Sequence, residues 1–158
     1  MQDSDRADVA AFIEEHWHDT KVMSQGRAFV PHEESGFIRR RDGQIIGLLT
    51  YRAENGSIEI LTLNAIVKGE GIGTALILQA IDKARHLGCT RIYLTTTNDA
   101  LRAIRFYQRL GFRMTKIHVG MVDEARKTKQ SIPKTGEGGI GIHDEIVMEL
   151  PIRPYLEA

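Results

Sequence analysis

Hydrophobic residues near the start of the chain recur at the three-to-four-residue spacing of a helix. A predicted first helix, with Ser4 as its N-cap, carries four apolar residues on one face: Val9, Phe12, Ile13 and Trp17. This periodicity is lost between residues 19 and 35, where we expect a loop with one short helix.

Three apolar runs bounded by turn residues then predict three strands: Gly36–Arg41, Gln44–Arg52 and Ile58–Ile66. The first two are joined across Asp42-Gly43, a dipeptide that favours the tight turn of a hairpin. The second and third are joined across a turn that ends in Asn55-Gly56. The pattern therefore predicts consecutive antiparallel hairpins.

The second half of the chain alternates between helical and strand patterns. Two helices are expected, one at Thr74–Leu87 and a shorter one that Asn98 or Asp99 caps. Further strands are expected at Arg91–Thr96, Phe112–Met121 and Asp144–Leu150.

Residues 122–142 are rich in Lys, Gly and Ser, and a loop of that length inside a domain is often functional. Taken together, the elements predict one domain over residues 1–158. Its class is mixed α/β (α+β), with a central, mostly antiparallel sheet and helices on both faces.

The turn Lys68–Gly73 joins a predicted strand to a predicted helix and contains three glycines. Such a turn leaves backbone N–H groups at the positive end of the helix dipole, where phosphates bind. Glycine suits a backbone that must come close to a phosphate, because a Cβ would intrude. The turn therefore predicts a nucleotide-like anion as ligand.

The composition of the chain excludes some classes of partner. Lys plus Arg and Asp plus Glu both number 21, and this balance argues against a nucleic-acid partner. No apolar run approaches the roughly 20 residues that span a bilayer, so no membrane partner is expected. The single cysteine, Cys89, and the polar segment Met1–Asp5 lead us to expect a cytoplasmic location.

Two motifs resemble those of the GNAT superfamily of N-acetyltransferases. The family's acetyl-CoA signature is Gln or Arg, two residues, Gly, one residue, then Gly or Ala; Lys68, Gly71 and Gly73 occupy these places. The preceding Leu61-Thr62-Leu63 resembles the family's Leu-x-Val strand ending.

The second motif is an Asn followed by an Ala-x-x-x-Tyr helix that closes in Gly-Phe. Five residues here resemble it: Asn98, Ala103, Tyr107, Gly111 and Phe112. The two motifs occur in the family's order, and the resemblance covers roughly residues 36–121.

The resemblance implies a GNAT-like fold and transfer of an acetyl group from acetyl-CoA to an amine, by direct attack in a ternary complex. It assigns the contacts with acetyl-CoA to Leu61, Leu63, Lys68, Gly69, Gly71, Ile72, Gly73, Thr74, Asn98, Ala103 and Phe106. It also implies a bulge in the central strand, near Leu63 or Asn64, whose backbone N–H stabilises the oxyanion.

Two residues are the expected catalysts. Tyr107 holds the family's position for the acid that protonates the departing thiolate. Glu59, which we expect on the same strand face as Leu61 and Leu63, is the preferred base for the substrate ammonium, and His16 is the alternative.

The acceptor is expected to be a primary amine of a small molecule or peptide. His16 and Trp17, together with residues 122–142, are expected to shape its pocket. Asp144 and Glu145 lie beside the expected cleft, but an acidic pair flanking a strand is usually solvated. Any homodimer is expected to form through a sheet edge or the Pro151–Ala158 tail.

Two other functions remain open. A non-catalytic acyl-CoA sensor could use the same fold, although Tyr107 and Glu59 favour chemistry. A dinucleotide-binding oxidoreductase is disfavoured because the third glycine of its fingerprint is absent and Arg91 stands where an acid is expected. No ligand spacing typical of a metal site occurs, so no metal is expected.

Overall fold

The computed structural model describes residues 1–17 and 21–156. In chain order the helices and strands are α1 (Arg6–Trp17), β1 (Val22–Ser24), β2 (Arg27–Phe29), β3 (Ser35–Arg41), β4 (Gln44–Glu54), β5 (Ser57–Ala65), α2 (Ile72–His86), β6 (Arg91–Thr97), α3 (Leu101–Arg109), β7 (Arg113–His118), α4 (Met121–Thr128) and β8 (Glu145–Pro151). Short 3₁₀ turns lie at Asp3–Asp5, Pro31–Glu33 and Glu137–Gly139.

The chain divides into two units. The first comprises Met1–Val22, Ala28–Ile92 and Pro151–Ala158, and the second comprises Met23–Arg27 and Tyr93–Leu150. The predicted mixed α/β class is confirmed, since the described residues contain six long strands, paired mostly antiparallel, and four helices.

In the first unit, strands β3, β4 and β5 form an antiparallel meander with β4 in the centre. Both tight turns adopt the left-handed backbone that their sequences predict. Asp42 and Gly43 have φ values of 51° and 79°, and Asn55 and Gly56 have values of 51° and 73°. The prediction of consecutive hairpins is therefore confirmed.

Helices α1 and α2 cover opposite faces of this meander. Leu48 of β4 is fully buried in a cluster with Val9, Phe12 and Ile13 of α1. A Cβ at the neighbouring Gly47 would lie 2.5 Å from the Cγ2 atom of Ile72 in α2. Because successive strand residues point to opposite faces, the prediction of helices on both faces is confirmed for the first unit.

In the second unit, the strand order is β6-β8-β7. Strands β7 and β8 pair antiparallel from Arg113↔Glu149 to His118↔Glu145, with an irregularity between Met114 and Lys116. The largest fully buried side chains in this unit are Phe112 and Met148.

Two of the predicted loops contain regular structure. In the described part of residues 19–35, β1 and β2 form a hairpin around Gln25-Gly26, whose φ values of 49° and 77° are both positive. This hairpin was not predicted because glutamine is uncommon in the left-handed conformation. Asp19 itself lies outside the described residues.

Residues 122–142, which were also predicted as a loop, contain regular structure, because α4 occupies their first third. Val122 is the only buried residue of α4, so no apolar stripe signals the helix. Beyond it, the Arg126 guanidinium donates hydrogen bonds to the carbonyl oxygens of Ile132 (3.1 Å), Pro133 (2.8 Å) and Ile142 (2.8 Å). This arginine holds the segment that follows the helix.

Several predicted element ends were also wrong. Ser4 lies inside a 3₁₀ turn and is not the cap of α1, and the Gln2 N–H instead bonds the Asp5 carboxylate at 2.7 Å. Helix α2 begins two residues earlier than expected, at Ile72. Ala100 is the N-cap of α3, and β7 ends at His118, two residues before Gly120, which is the N-cap of α4.

No helix within residues 1–17 and 21–156 is both long and apolar enough to cross a bilayer.

The close approach of Gly47 to α2 leads to a test of packing. The variant Gly47→Ala is expected to lower the free energy of unfolding by about 1–3 kcal/mol, because its methyl group overlaps the Ile72 side chain. Urea denaturation measures this. Since Ile72→Ala removes the overlapping atom, the double variant should lose less stability than the sum of the two single losses. Strictly additive losses would contradict the contact.

Candidate functional site

The glycine turn before α2 is open and has a left-handed backbone at two positions. Gly69 and Gly71 have φ values of 80° and 71°, and Gly71 is the N-cap of α2. Apart from chain neighbours, no heavy atom of the described residues lies within 4 Å of a Cβ built at either glycine. Glycine is therefore required here for backbone conformation, and the space beside the turn is clear.

Among the described residues, the first backbone N–H groups of α2 have neither a helical carbonyl partner nor a capping side chain. The earliest helical hydrogen bond runs from the Ala75 N–H to the Gly71 carbonyl oxygen at 2.9 Å. The N–H groups of Ile72, Gly73 and Thr74 precede it, and no described side chain caps the helix. The first turn also contains no acidic residue. Such a helix terminus is suited to an anion.

One carboxylate does stand in the turn, but a cation pairs with it. Glu70 accepts two hydrogen bonds from the Arg41 guanidinium at the end of β3. This contact lowers the pKa of Glu70 and raises the pKa of Arg41. Lys68 is exposed beside it. The pairing offsets the negative charge in the turn, and sequence reasoning missed Arg41 because the contact is between distant parts of the chain.

Strand β5 contains a bulge just before the turn. Thr62 pairs with Thr50 and Ile60 pairs with Tyr51, so Leu61 has no partner on β4. The expected position was Leu63 or Asn64, two or three residues later. Leu61 is buried and Leu63 is half-buried.

The bulge changes the face on which Glu59 lies. Glu59 pairs with Arg52, and Leu63 pairs with Leu49. Arg52 and Leu49 are three residues apart on β4 and so point to opposite faces. The expectation that Glu59 shares a face with Leu63 was therefore wrong, because one extra residue reverses the alternation.

Glu59 is a buried carboxyl group near the Arg52 guanidinium. It is 6% exposed, and the charge of Glu59 contributes to the raised pKa of Arg52. The larger cause of that rise is the hydrogen-bonded carboxylate of Glu34. The Arg52 guanidinium also lies 4.6 Å from the centre of the Phe29 ring.

The two predicted acceptor residues lie at the end of α1. The His16 ring stacks on Phe12 with centroids 4.2 Å apart, and its Nδ1 atom lies 2.8 Å from the Phe12 carbonyl oxygen. Trp17 donates a hydrogen bond from Nε1 to the Oδ1 atom of Asn64 at 2.9 Å. Trp17 thereby connects α1 to β5 close to the glycine turn.

His16 also lines an open groove of about 510 Å³ in the first unit. The groove runs between α1, the β3–β4 hairpin and the residue after β5, and its walls include Asp8, Phe12, Glu15, Arg40, Ile45 and Ile66.

In the second unit, Tyr107 lies on the buried face of α3. Its ring makes edge contacts with Phe106 and Phe112, with centroids 5.2 Å and 5.6 Å apart. Burial raises the pKa of the Tyr107 phenol well above its ordinary value. The phenol therefore carries its proton throughout the physiological pH range. Ala103 and Phe106 are half-buried on the same helix.

Asn98 has a set of partners within the second unit. Its Oδ1 atom accepts hydrogen bonds from the backbone N–H groups of His143 (2.9 Å) and Asp144 (3.0 Å). Its Nδ2 group donates to the Gly141 carbonyl oxygen at 2.8 Å. Asn98 thus fixes the entry to β8, and its contact with acetyl-CoA stays a prediction.

Within residues 1–17 and 21–156, no three His, Cys, Asp or Glu side chains are grouped so as to hold a metal ion.

The chain is similar to known proteins in sequence and in fold. The sequence profile of the acetyltransferase (GNAT) family matches residues 4–112. YdhI of Bacillus subtilis strain 168 is 39% identical over 137 residues, which are 86% of each chain.

Two solved structures are similar in fold. A GNAT family acetyltransferase from Elizabethkingia anophelis with acetyl-CoA bound has a TM-score of 0.66 and 20% identity, over 85% of this chain and 99% of that one. An acetyltransferase of the GNAT family from Streptococcus pneumoniae has a TM-score of 0.69 and 18% identity, over 96% of each chain. From its sequence and its fold together, the chain belongs to the GNAT acetyltransferase family.

Proposed function

We propose that the protein transfers an acetyl group from acetyl-CoA to a primary amine of a small molecule or peptide, by direct attack in a ternary complex. The observation that carries the proposal is the uncapped N-terminus of α2, where Gly71 leaves three amides available to an anion. The neighbour from Elizabethkingia anophelis, which shares the fold, holds acetyl-CoA.

In this proposal the amides of the glycine turn bind the pyrophosphate of the donor. Gly69, Gly71, Gly73 and Thr74 supply N–H groups, and Ile72 packs the turn against the sheet. Lys68 adds a positive charge. Glu70, the carboxylate within the turn, is paired with Arg41 and so offsets the charge of Lys68 little. Leu61 and Leu63 on β5, with Asn98, Ala103 and Phe106, are the remaining proposed contacts with acetyl-CoA.

The reaction needs three further contributions from the protein. The amine nitrogen attacks the thioester carbonyl carbon, and a backbone N–H at the Leu61 bulge is proposed to stabilise the resulting oxyanion. The C–S bond then breaks, and Tyr107 is proposed to protonate the thiolate. Burial raises the pKa of the Tyr107 phenol, so this group still carries its proton when the thiolate forms. The proton that the attacking nitrogen must still lose returns through solvent to the Tyr107 oxygen, so the phenol is regenerated.

The base remains a choice between two side chains. We favour Glu59, because it is a buried carboxylate on the strand that leads to the bulge. His16 is the alternative, since it lines the open groove beside α1. Either would remove the proton that the substrate ammonium must lose before it attacks.

A thiol-release assay tests the proposed function. Wild-type protein with acetyl-CoA and a panel of butylamine, putrescine, phenethylamine and a short peptide should release free thiol and form an N-acetylated product, identified by mass spectrometry. Cys89, the single cysteine, is buried and burial raises its pKa, so it adds little background. Binding of CoA without turnover of any amine would instead indicate a sensor.

The glycine turn has a matched pair of variants. Gly71→Val is expected to weaken CoA binding at least tenfold in calorimetry, because a β-branched residue resists the positive φ that opens the turn. Gly56→Val imposes the same strain at φ 73° in the β4–β5 turn and should leave the affinity for CoA unchanged. Equal losses in both variants would contradict the proposed donor site.

The role of Tyr107 predicts a loss of kcat. Tyr107→Phe should reduce kcat by about 100-fold or more with little change in CoA affinity, because only the proton donor is removed. Tyr51→Phe, which removes the hydroxyl of another buried tyrosine, is the control. Because burial raises the pKa of Tyr107, wild-type kcat should not fall between pH 7 and about pH 10 through its ionisation. An undiminished kcat in Tyr107→Phe would remove this assignment.

A further inference from the structure

The open groove beside α1 lies within the first unit and is separate from the proposed contacts with acetyl-CoA. Its volume of about 510 Å³ is typical of a pocket for a small molecule. One wall is a single stripe of α1, because residues 8, 11, 12, 15 and 16 follow helical spacing. The other wall is formed by Arg40, residues 43–45 and Ile66. We call this cavity the α1 groove.

The floor of the α1 groove is apolar and belongs to the packed core. Phe12 is 7% exposed and is part of the cluster between α1 and β4, and Ile45 packs against the same cluster. Ile66 is held beside the hairpin by a hydrogen bond from its N–H to the Ile46 carbonyl oxygen at 2.9 Å. Ile66 is nevertheless 44% exposed. An apolar ligand that covered it would therefore remove hydrocarbon surface from water.

The charges at one end of the α1 groove are paired with each other. The Arg40 guanidinium donates hydrogen bonds to carboxylate oxygens of Asp5 at 3.0 Å and Asp8 at 3.1 Å. It also donates to the Gly43 carbonyl oxygen at 3.0 Å. The hydrogen bond with Asp5 raises the pKa of Arg40. Because two carboxylates offset its charge, Arg40 presents little net positive charge to a ligand.

The other end of the groove has hydrogen-bond acceptors. Glu15 is exposed on the α1 wall and makes no hydrogen bond or ion pair with residues 1–17 and 21–156. The neighbouring His16 directs Nδ1 at the Phe12 carbonyl oxygen, which lies 2.8 Å away. Since a carbonyl oxygen only accepts, Nδ1 carries the proton and Nε2 of the neutral ring is an acceptor. This end of the groove therefore suits a ligand with a positive charge and N–H donors.

We propose that the α1 groove binds an organic ammonium ion with an apolar body. The body covers Ile66 and the floor, and Glu15 supplies the counter-ion. Glu15 and Phe12 are three residues apart on one helix face, so their Cβ atoms are about 5–6 Å apart. The charge and the apolar body of the ligand are thus separated by a short linker, as in phenethylamine. The ligand need not be acetylated, so binding does not depend on the proposed reaction.

Three probes separate the contributions of charge and apolar body. Phenethylammonium has both, 2-phenylethanol lacks the charge, and methylammonium lacks the apolar body. In titrations of wild-type protein without CoA, phenethylammonium should bind at least fivefold more tightly than either of the others. Its affinity should fall as salt is added, because Glu15 is exposed and its charge is screened.

Two matched pairs of variants test the two ends of the ligand. Glu15→Gln should weaken binding of phenethylammonium about threefold to tenfold. Glu14→Gln removes the same charge from the adjacent position of α1, outside the groove, and should leave the affinity unchanged. Ile66→Ser should weaken binding about threefold or more. Its control is Ile117→Ser, which replaces an exposed isoleucine of the second unit. All four positions are exposed, so these variants should fold.

Acetyl transfer identifies the source of the bound ammonium ion. If it is the acceptor, Glu15→Gln should raise KM for phenethylamine by the same factor as Kd, and trimethyl(phenethyl)ammonium, which has no N–H to lose, should inhibit competitively. If it is a separate cation, KM should not change and the trimethyl compound should still bind in the groove. Either result supports the binding site.

Three results would overturn it: no binding of phenethylammonium, equal affinities in Glu15→Gln and Glu14→Gln, or amide resonance shifts that lie outside residues 8–16, 43–45 and 66. A wild-type protein that releases no thiol with any amine would contradict the proposed acetyl transfer alone, because binding in the groove is measured without acetyl-CoA.

Discussion

The backbone N–H groups at the start of α2 are the constraint around which the first unit is organised. A helix leaves its first amides without internal partners, and most helices satisfy them with a capping side chain. Here the N-cap is Gly71, in a left-handed conformation and with no side chain to offer. The dipole of a 15-residue helix therefore ends at an open surface, where an anion is the natural partner.

Packing and charge around the turn keep this terminus open and in place. Gly47 lets α2 approach β4 at its first turn, since any larger residue would meet Ile72. Arg41 engages Glu70, so the carboxylate within the turn repels an incoming phosphate less than its charge alone would suggest. On the opposite face of the meander, Trp17 donates a hydrogen bond to Asn64 and so joins α1 to the end of β5, shortly before the glycine turn.

Much of this could be read from the sequence because its signals are local. The Asp42-Gly43 turn, the glycines at 69 and 71 and the apolar stripe of α2 each need only neighbouring residues to be recognised. The bulge at Leu61 has no such signal, since it depends on register with β4. Because no bulge was predicted at Leu61, Glu59 was expected on the wrong face of β5.

The other missed features also depend on distant residues. Arg126 orders the segment after α4 through three backbone carbonyl groups, which no periodicity reveals. The burial of Glu145 was not predicted, because its partner Gln25 lies at a hairpin tip 120 positions away along the chain. Polar side chains with long-range partners are thus the part of this site that only a structure can locate.

A titration of isotopically labelled protein with CoA, followed by amide resonances in NMR spectra, locates the donor site. If the α2 terminus binds the donor, the amides of residues 69–74 should show the largest shifts and should saturate together. Comparable shifts spread over both units, or none within residues 69–74, would show that the α2 terminus is not the donor site.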